Sequence, residues 1–314
     1  MNADANLRLH TPVLLIIFNR SEPALKVLEQ VRKVRPYKMY IAGDGPRPEK
    51  QGEDLRCEIA RKRVLEAIDW DCEIQTLFRD DNVGSGFGPY NAINWLFQHE
   101  EMGIILEDDC VPSTSFFFFC DFFLNKFRDD TRIWMVSGTN LLEKWKEQSV
   151  DYFYSIRGGT WGWATWRRAW EHYDFTMKAW ADPYVQDLIR NMVDANSWKA
   201  IFQEYQLTYD GFDEKQSVWD YQWNFIRLIN SGLSVMPAQN LISNIGFGVD
   251  ATHTFENSPW DNMPRYEYQF PLRENSIIMP DMEFEERVHE MIHLKIWKKV
   301  SRKLKKISSS VLKA

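Results

Sequence analysis

Cysteine is scarce in this chain. The four present, Cys57, Cys72, Cys110 and Cys120, form no CxxC pair and no zinc-like spacing. That excludes a disulfide-stapled scaffold or a zinc module, and free thiols in a reducing compartment are the simplest reading. Long hydrophobic runs are missing too. No stretch reaches the roughly 18 apolar residues that a membrane-spanning helix requires. Met1 to His10 is polar and has no apolar signal-peptide centre, so a cytoplasmic location is expected. Neither GxGxxG nor Gly-Lys-Ser/Thr occurs, so the dinucleotide fingerprint and the P-loop are unsupported. Positive charge is in deficit, with 38 Lys and Arg against 45 Asp and Glu, and general nucleic-acid binding is not expected. The deficit is uneven: residues 291–314 hold eight Lys and Arg and no acid.

What is present is a chain of 314 residues, ample for a core, with 14 Trp and a high aromatic content of 15%. Such rings suit stacking on sugars or bases, and large cores also use them. Pro12 to Phe18 is a fully apolar run, read as a buried first strand. A helix with Leu25, Leu28 and Val31 follows, with Ser21 as its expected N-cap and Pro23 in its first turn. Met39 to Ala42 reads as a second strand, residues 49–68 as a helix with Leu55, Ile59, Val64, Leu65 and Ile68 on its apolar face, and Cys72 to Phe78 as a third strand. Asn82 to Gly88 is a glycine-rich turn ahead of a helix from Pro89 to Gln98. Gly103 to Leu106 is a short strand buried on both faces. This alternation predicts a doubly wound, mostly parallel sheet with helices on both faces.

The strand Gly103 to Leu106 runs straight into Glu107, Asp108 and Asp109. Three adjacent acids repel one another and resist desolvation unless a cation neutralises them. Oxygen-only donors suit Mg²⁺ or Mn²⁺, with a phosphate completing the shell. An acidic surface turn is the plainer alternative. Two other strand ends carry polar groups, Asn19 and Arg20 after the first and Asp44 after the second. The topology brings all three to one edge, where ligands bind in open α/β sheets.

Further along, Phe116 to Phe119 belongs to a helix that Phe122, Phe123 and Phe127 continue, and Ile133 to Ser137 and residues 151–156 read as strands. Arg157 to Trp170 mixes glycine with tryptophan, which makes either a ligand platform or a packed hairpin or helix start. Asp220 lies near the start of a helix that runs to Ile229, where a cap and a catalytic base are both open readings. Leu233 to Pro237 reads as an edge strand. Asn240 to Gly248 and Ala251 to Thr254 read as a long ordered loop that holds His253, either a metal or phosphate contact or a structural histidine. Trp297, Val300, Leu304, Ile307 and Val311 recur at spacings of three and four among lysines and arginines. That pattern predicts a basic amphipathic helix over 295–313, suited to an anionic membrane surface, a protein partner or plain solvation.

Several segments together resemble a known family: PVLLIIFNR, Gly43-Asp44-Gly45, Ile104 to Asp109, Gly-Trp-Gly-Trp, Trp219-Asp220-Tyr221-Gln222-Trp223, and Asn244 to Gly248 with His253. Over roughly residues 11–255 the chain is similar to the nucleotide-sugar glycosyltransferases of the GT-A fold, most of all the N-acetylglucosaminyltransferase I-like branch and its bacterial relatives. The resemblance implies an α/β fold with a mixed, mostly parallel sheet. With the basic amphipathic tail at 281–314 outside it, the resemblance makes 1–280 a GT-A domain, with a nucleotide-binding half at 11–110 and an acceptor and catalytic half at 111–280. It implies inverting transfer of a sugar, GlcNAc among the candidates, from a UDP-sugar to a glycan or lipid-linked acceptor with Mn²⁺ or Mg²⁺.

Residue by residue, the resemblance makes Asp109 the direct metal ligand, with Glu107 and Asp108 on the ribose and donor sugar. Arg20 contacts the nucleotide, with Phe18 and Asn19 beside it. Asp44 hydrogen-bonds the uracil, and Asn82 and Gly84 of the glycine turn count among the donor contacts. Asp220 is the catalytic base, and His253 is a further metal-ligand candidate. The stretch Asn82 to Tyr90 is glycine-rich where the animal enzymes differ. A nucleotidyltransferase of NDP-sugar synthesis is the first competing class, disfavoured because the first turn, Asn19 to Pro23, has no glycine. A non-catalytic carbohydrate-binding or scaffold protein is the second.

Overall fold

The computed structural model describes residues 8–192, 195–211, 218–247 and 258–291. The first half alternates strand and helix: β1 (Val13–Ile17), α1 (Ser21–Val34), β2 (Lys38–Gly43), α2 (Glu53–Glu66), β3 (Glu73–Phe78), α3 (Gly84–His99) and β4 (Met102–Glu107). The second half is less regular: β5 (Cys110–Pro112), α4 (Thr114–Lys126), β6 (Ile133–Ser137), β7 (Tyr152–Ser155), β8 (Trp163–Trp166), α5 (Arg167–Trp170), α6 (Pro183–Arg190), α7 (Ala195–Asp210), α8 (Asp220–Ile229), β9 (Leu233–Pro237) and β10 (Ile242–Asn244).

Eight strands form one sheet in the order β3-β2-β1-β4-β8-β6-β9-β7. β1 to β4 are mutually parallel, and β6 and β9 run the same way. Only β8 and β7 oppose them. The chain is therefore α/β with a large, mostly parallel mixed sheet between helices. β1 and β4 lie at its centre because Val, Leu and Ile occupy successive positions and bury on both faces. Each such side chain contributes about 1.5–3 kcal/mol on burial.

Several local expectations change. β9 is an interior strand between β6 and β7, and β7 is the edge. The glycine–tryptophan stretch is not a hairpin: it runs through a strand into a helix start, α5, and its Thr160 and Trp161 line a cleft. Trp163 to Trp166 is a buried antiparallel strand between β4 and β6, and Trp163, Trp166 and Trp170 belong to the core. Gly162, at φ +65°, makes the turn into this strand. A Cβ there would sit 2.4 Å from Cδ1 of Ile242. α2 buries Cys57, Ala60 and Val64, and leaves Leu55 and Ile59 exposed, because its inner face packs closely on α1 and has room for small side chains. Ser21 is the first helical residue of α1 and not its cap; Arg20 holds the N-cap position. Phe122 is largely exposed while Phe116, Phe117, Phe119 and Phe123 are fully buried.

The short antiparallel pair β5–β10 was not foreseen, and it matters for the site. It aligns Asn244 with Cys110, directly after Asp109. Residues 282–291, within the stretch assigned to the tail, are helical and bury Phe284 and Val288 against Phe153 and Met236. The basic positions 295–313 lie outside the described residues, as does His253. No helix among the described residues is long and apolar enough to cross a membrane, and all four cysteines are free thiols.

Candidate active site

A cleft of about 640 Å³ opens at the C-terminal ends of β1, β2 and β4. Ten of the eleven candidate residues line it: Phe18, Asn19, Arg20, Asp44, Asn82, Gly84, Glu107, Asp108, Asp109 and Asp220. The eleventh, His253, is outside the described residues. The far wall comes from the second half of the chain, through Thr160 and Trp161 before β8, Val218 to Tyr221 at the start of α8, and Asn244 and Gly246 after β10.

Arg20 is the hub of the acidic cluster. Its Nη2 donates to Oδ1 of Asp108 at 2.5 Å and to Oδ2 of Asp109 at 2.8 Å. Burial works against the guanidinium charge, but Asp108 and Asp109 outweigh it and hold the Arg20 pKa above its ordinary value. Burial pushes the Asp108 carboxyl up, and Arg20 and a backbone N–H of Phe18 pull it back. Burial and then repulsion from Asp109, Asp108 and Asp220 push the Glu107 carboxyl well above the usual carboxylate range. Asp220 therefore shares one electrostatic neighbourhood with the triplet, although it comes from the opposite half of the chain. Asp109 is clamped from both sides. Its backbone carbonyl accepts from Ile245 N–H at 2.9 Å, and Gly246 lies so close that a Cβ there would be 1.9 Å from Oδ2. The Cys110 thiol reaches its Oδ1 at 3.4 Å.

Asp44 has partners within the protein. Its carboxylate accepts from the backbone N–H groups of Gly45, Val83 and Gly84 at 3.0–3.1 Å, so it caps α3 from outside the helix. Burial pushes its carboxyl above the usual range in spite of those donors. The Asn82 amide donates to Gly45 O at 2.8 Å, fastening the glycine turn to the end of β2. α3 starts at Gly84, inside the stretch expected to be an open turn.

Asp220 is the first residue of α8, one past the N-cap position held by Trp219. Its neighbours Trp219 and Trp223 are core residues. Trp219 stacks on Trp163 at 5.7 Å, and Trp223 meets Trp170 at 5.2 Å. Tyr173 donates its hydroxyl to Trp219 O at 2.8 Å. The acid is thus presented to the cleft from a rigid aromatic base.

Two cationic lining residues were missed, Arg47 and Arg79. Arg47 is pinned by the fully buried Glu53 through Nε at 2.9 Å and Nη2 at 2.6 Å, and lies 5.5 Å from the Phe18 ring. Glu53 also accepts from the Asn19 amide at 2.8 Å. Arg79 directly follows β3, and that place at a strand end was the one signal that pointed to it.

The triplet offers part of a cation site. Oδ2 of Asp108 is buried without a hydrogen-bond partner, and hard oxygen donors are the right chemistry for Mg²⁺ or Mn²⁺. No three His, Cys, Asp or Glu side chains among the described residues are grouped as a metal-holding set. The protein fits such an ion only as a partial shell, with Asp108 and Asp109 as donors and further oxygens required from a ligand. No protein-family model matches the chain, and a search of curated proteins finds no match. The functional reading therefore rests on the site itself.

Proposed function

We propose that the chain is an inverting, divalent-metal-dependent glycosyltransferase of the GT-A type that takes a UDP-sugar and passes the sugar to a glycan or lipid-linked hydroxyl. The observation that carries the reading is the meeting in one cleft of Arg20, the Glu107–Asp109 triplet and Asp220, from strand ends and a helix start far apart in sequence. Arg20 beside the start of α1 suits the diphosphate, since helix N-termini and guanidinium groups both favour phosphate oxygens. Asp109, with Asp108 beside it, would hold the cation, and Glu107 faces the donor sugar. Bound there, Mn²⁺ or Mg²⁺ supplies neutralisation of the charge that develops on the leaving diphosphate. Asp220, across the cleft, takes the proton of the acceptor hydroxyl as it attacks the anomeric carbon from the face opposite the leaving group, which inverts that centre. Trp161, edge-on to Phe247 at 5.7 Å, walls the cleft on the side of Asp220.

In this reading Asp44 acts through α3, holding the glycine turn that borders the nucleotide, in addition to any contact of its own with the base. A thermal-shift panel of nucleotide sugars with and without MnCl₂ tests the proposal. UDP-sugars with Mn²⁺ are expected to raise the melting temperature, and the same compounds with a chelator are not. Stabilisation by purine nucleotides alone, or none by any nucleotide with Mn²⁺, would overturn it.

A further inference from the structure

We propose that Arg20 is a resident counter-cation that makes divalent-metal binding conditional on the arrival of an anionic ligand; the inference rests on the diphosphate reading of the cleft. A single nitrogen of Arg20, Nη2, bridges one oxygen from each of two neighbouring carboxylates, Asp108 Oδ1 and Asp109 Oδ2. That is the bridging role a cation would take between the same two acids, and a metal ion placed between those oxygens would meet the guanidinium charge at contact distance. Of the remaining oxygens, Asp109 Oδ1 faces the Cys110 thiol and Asp108 Oδ2 is buried. One guanidinium therefore offsets one of the pair's two negative charges and occupies an oxygen of each acid, so an approaching divalent ion meets a fixed positive charge at those two oxygens.

Arg20 also has somewhere else to go. Its side chain is 29% exposed and lines the cleft, whereas that of Asp108 is 6% exposed. It sits at the N-cap of α1, where no side chain caps the first amides. Pro23 has no N–H and Ala24 N–H bonds Arg20 O at 3.4 Å, so an incoming diphosphate meets the amides of Ser21 and Glu22 together with the guanidinium, and draws Arg20 off the acids. That exchange releases Asp108 Oδ1 and Asp109 Oδ2 at the moment the ligand brings oxygens of its own. Metal and nucleotide then bind as a coupled pair, each raising the affinity of the other by the same factor. The coupling resides in one side chain.

Calorimetric titration of MnCl₂ into the wild type, Arg20→Gln and Arg20→Ala, each with and without saturating UDP, separates the possibilities. In the wild type, UDP is expected to tighten Mn²⁺ binding at least tenfold. In both neutral variants, Mn²⁺ alone is expected to bind at least tenfold tighter than to the wild type, and the further gain from UDP to fall below threefold. Arg20→Lys keeps the charge, is the gentlest change to folding, and is expected to bind Mn²⁺ alone within threefold of the wild type. Unchanged Mn²⁺-only affinity in the neutral variants, with UDP coupling intact, would overturn the counter-cation role and leave the diphosphate reading standing. A Lys variant that gains as much as the Gln variant would overturn it equally. Absence of any UDP effect in the wild type would remove the diphosphate reading and this inference with it.

Discussion

Replacing Gly246 with alanine places a methyl carbon 1.9 Å from Oδ2 of Asp109, 2.6 Å from its Cγ and 3.0 Å from its Cβ. All three atoms are too near for a rotation of the carboxylate alone to relieve the clash. The loop cannot simply withdraw, because Ile245 N–H is bonded to Asp109 O at 2.9 Å and Gly246 N–H to Asn244 Oδ1 at 2.8 Å. The carboxylate must therefore move by more than an ångström, which breaks its 2.8 Å bond to Arg20. A hydrogen bond between charged groups is worth about 1.5–3 kcal/mol. In the metal–nucleotide complex Arg20 has left this oxygen and the cation takes its place; a charged contact of the same worth lost there lowers affinity by about 10- to 100-fold, at roughly 1.4 kcal/mol per tenfold. Titration of UDP in saturating MnCl₂ reads this directly, with a thermal melt to show that the variant is folded. A folded Gly246→Ala protein that binds UDP and Mn²⁺ as tightly as the wild type would refute the placement of Asp109 in that complex.

Other consequences follow from the same geometry. Asp220→Asn is expected to keep UDP and Mn²⁺ binding and to lose about 10²- to 10⁴-fold in turnover, the usual worth of a general base; normal turnover would remove Asp220 from that role. Asp109→Ala is expected to abolish Mn²⁺-dependent UDP binding, and unchanged calorimetric affinity would contradict its assignment. Arg47 holds the Glu53 carboxyl at about 2, below its ordinary 4.5. A depressed carboxylate contributes stability above its unfolded value and loses it as pH falls toward the folded one, so about 3 kcal/mol should disappear between roughly pH 4.5 and 2. Urea unfolding across that window should show the loss in the wild type and much less of it in Glu53→Gln; equal losses would refute the assignment. Gly162→Ala, at φ +65° and 2.4 Å from Ile242 Cδ1, is expected to cost about 2–5 kcal/mol in urea unfolding, combining left-handed strain with overpacking. A loss under about 0.5 kcal/mol, the range of ordinary surface substitutions, would contradict that.

The parts of the fold that could be read from sequence are those where one physical signal dominates. β1 and β4 carry continuous apolar runs, Val13 to Ile17 and Ile104 to Leu106, and runs that short between polar turns fit strands buried on both faces. Their ends place Arg20 and the acid triplet without further information. β8 was hidden because its pairing partners lie far along the chain and its sequence, WATW, carries no β-branched run. β5 and β10 are three residues each, too short for any periodicity, yet they bring Gly246 against Asp109. The Arg47–Glu53 pair joins a loop to a helix start with no repeating pattern. Asp44 was correctly placed at the cleft, but its carboxylate is occupied by the amides of α3, a contact that depends on how that helix docks. The apolar face expected over 49–68 holds at Val64, which is buried, and at Leu65 and Ile68, which pack on the core, whereas Leu55 and Ile59 point outward and Cys57 and Ala60 inward.

The central claim is that this cleft transfers a sugar from a UDP-sugar with Asp220 as base and a divalent cation on the leaving group. Formation of UDP from a panel of UDP-sugars, followed by chromatography in MnCl₂ and in chelator, tests it most directly. UDP formation is expected to require Mn²⁺ or Mg²⁺ and to be lost in Asp220→Asn. UDP formation unaffected by chelation or by that substitution, or release of pyrophosphate from UTP and a sugar 1-phosphate, would contradict it.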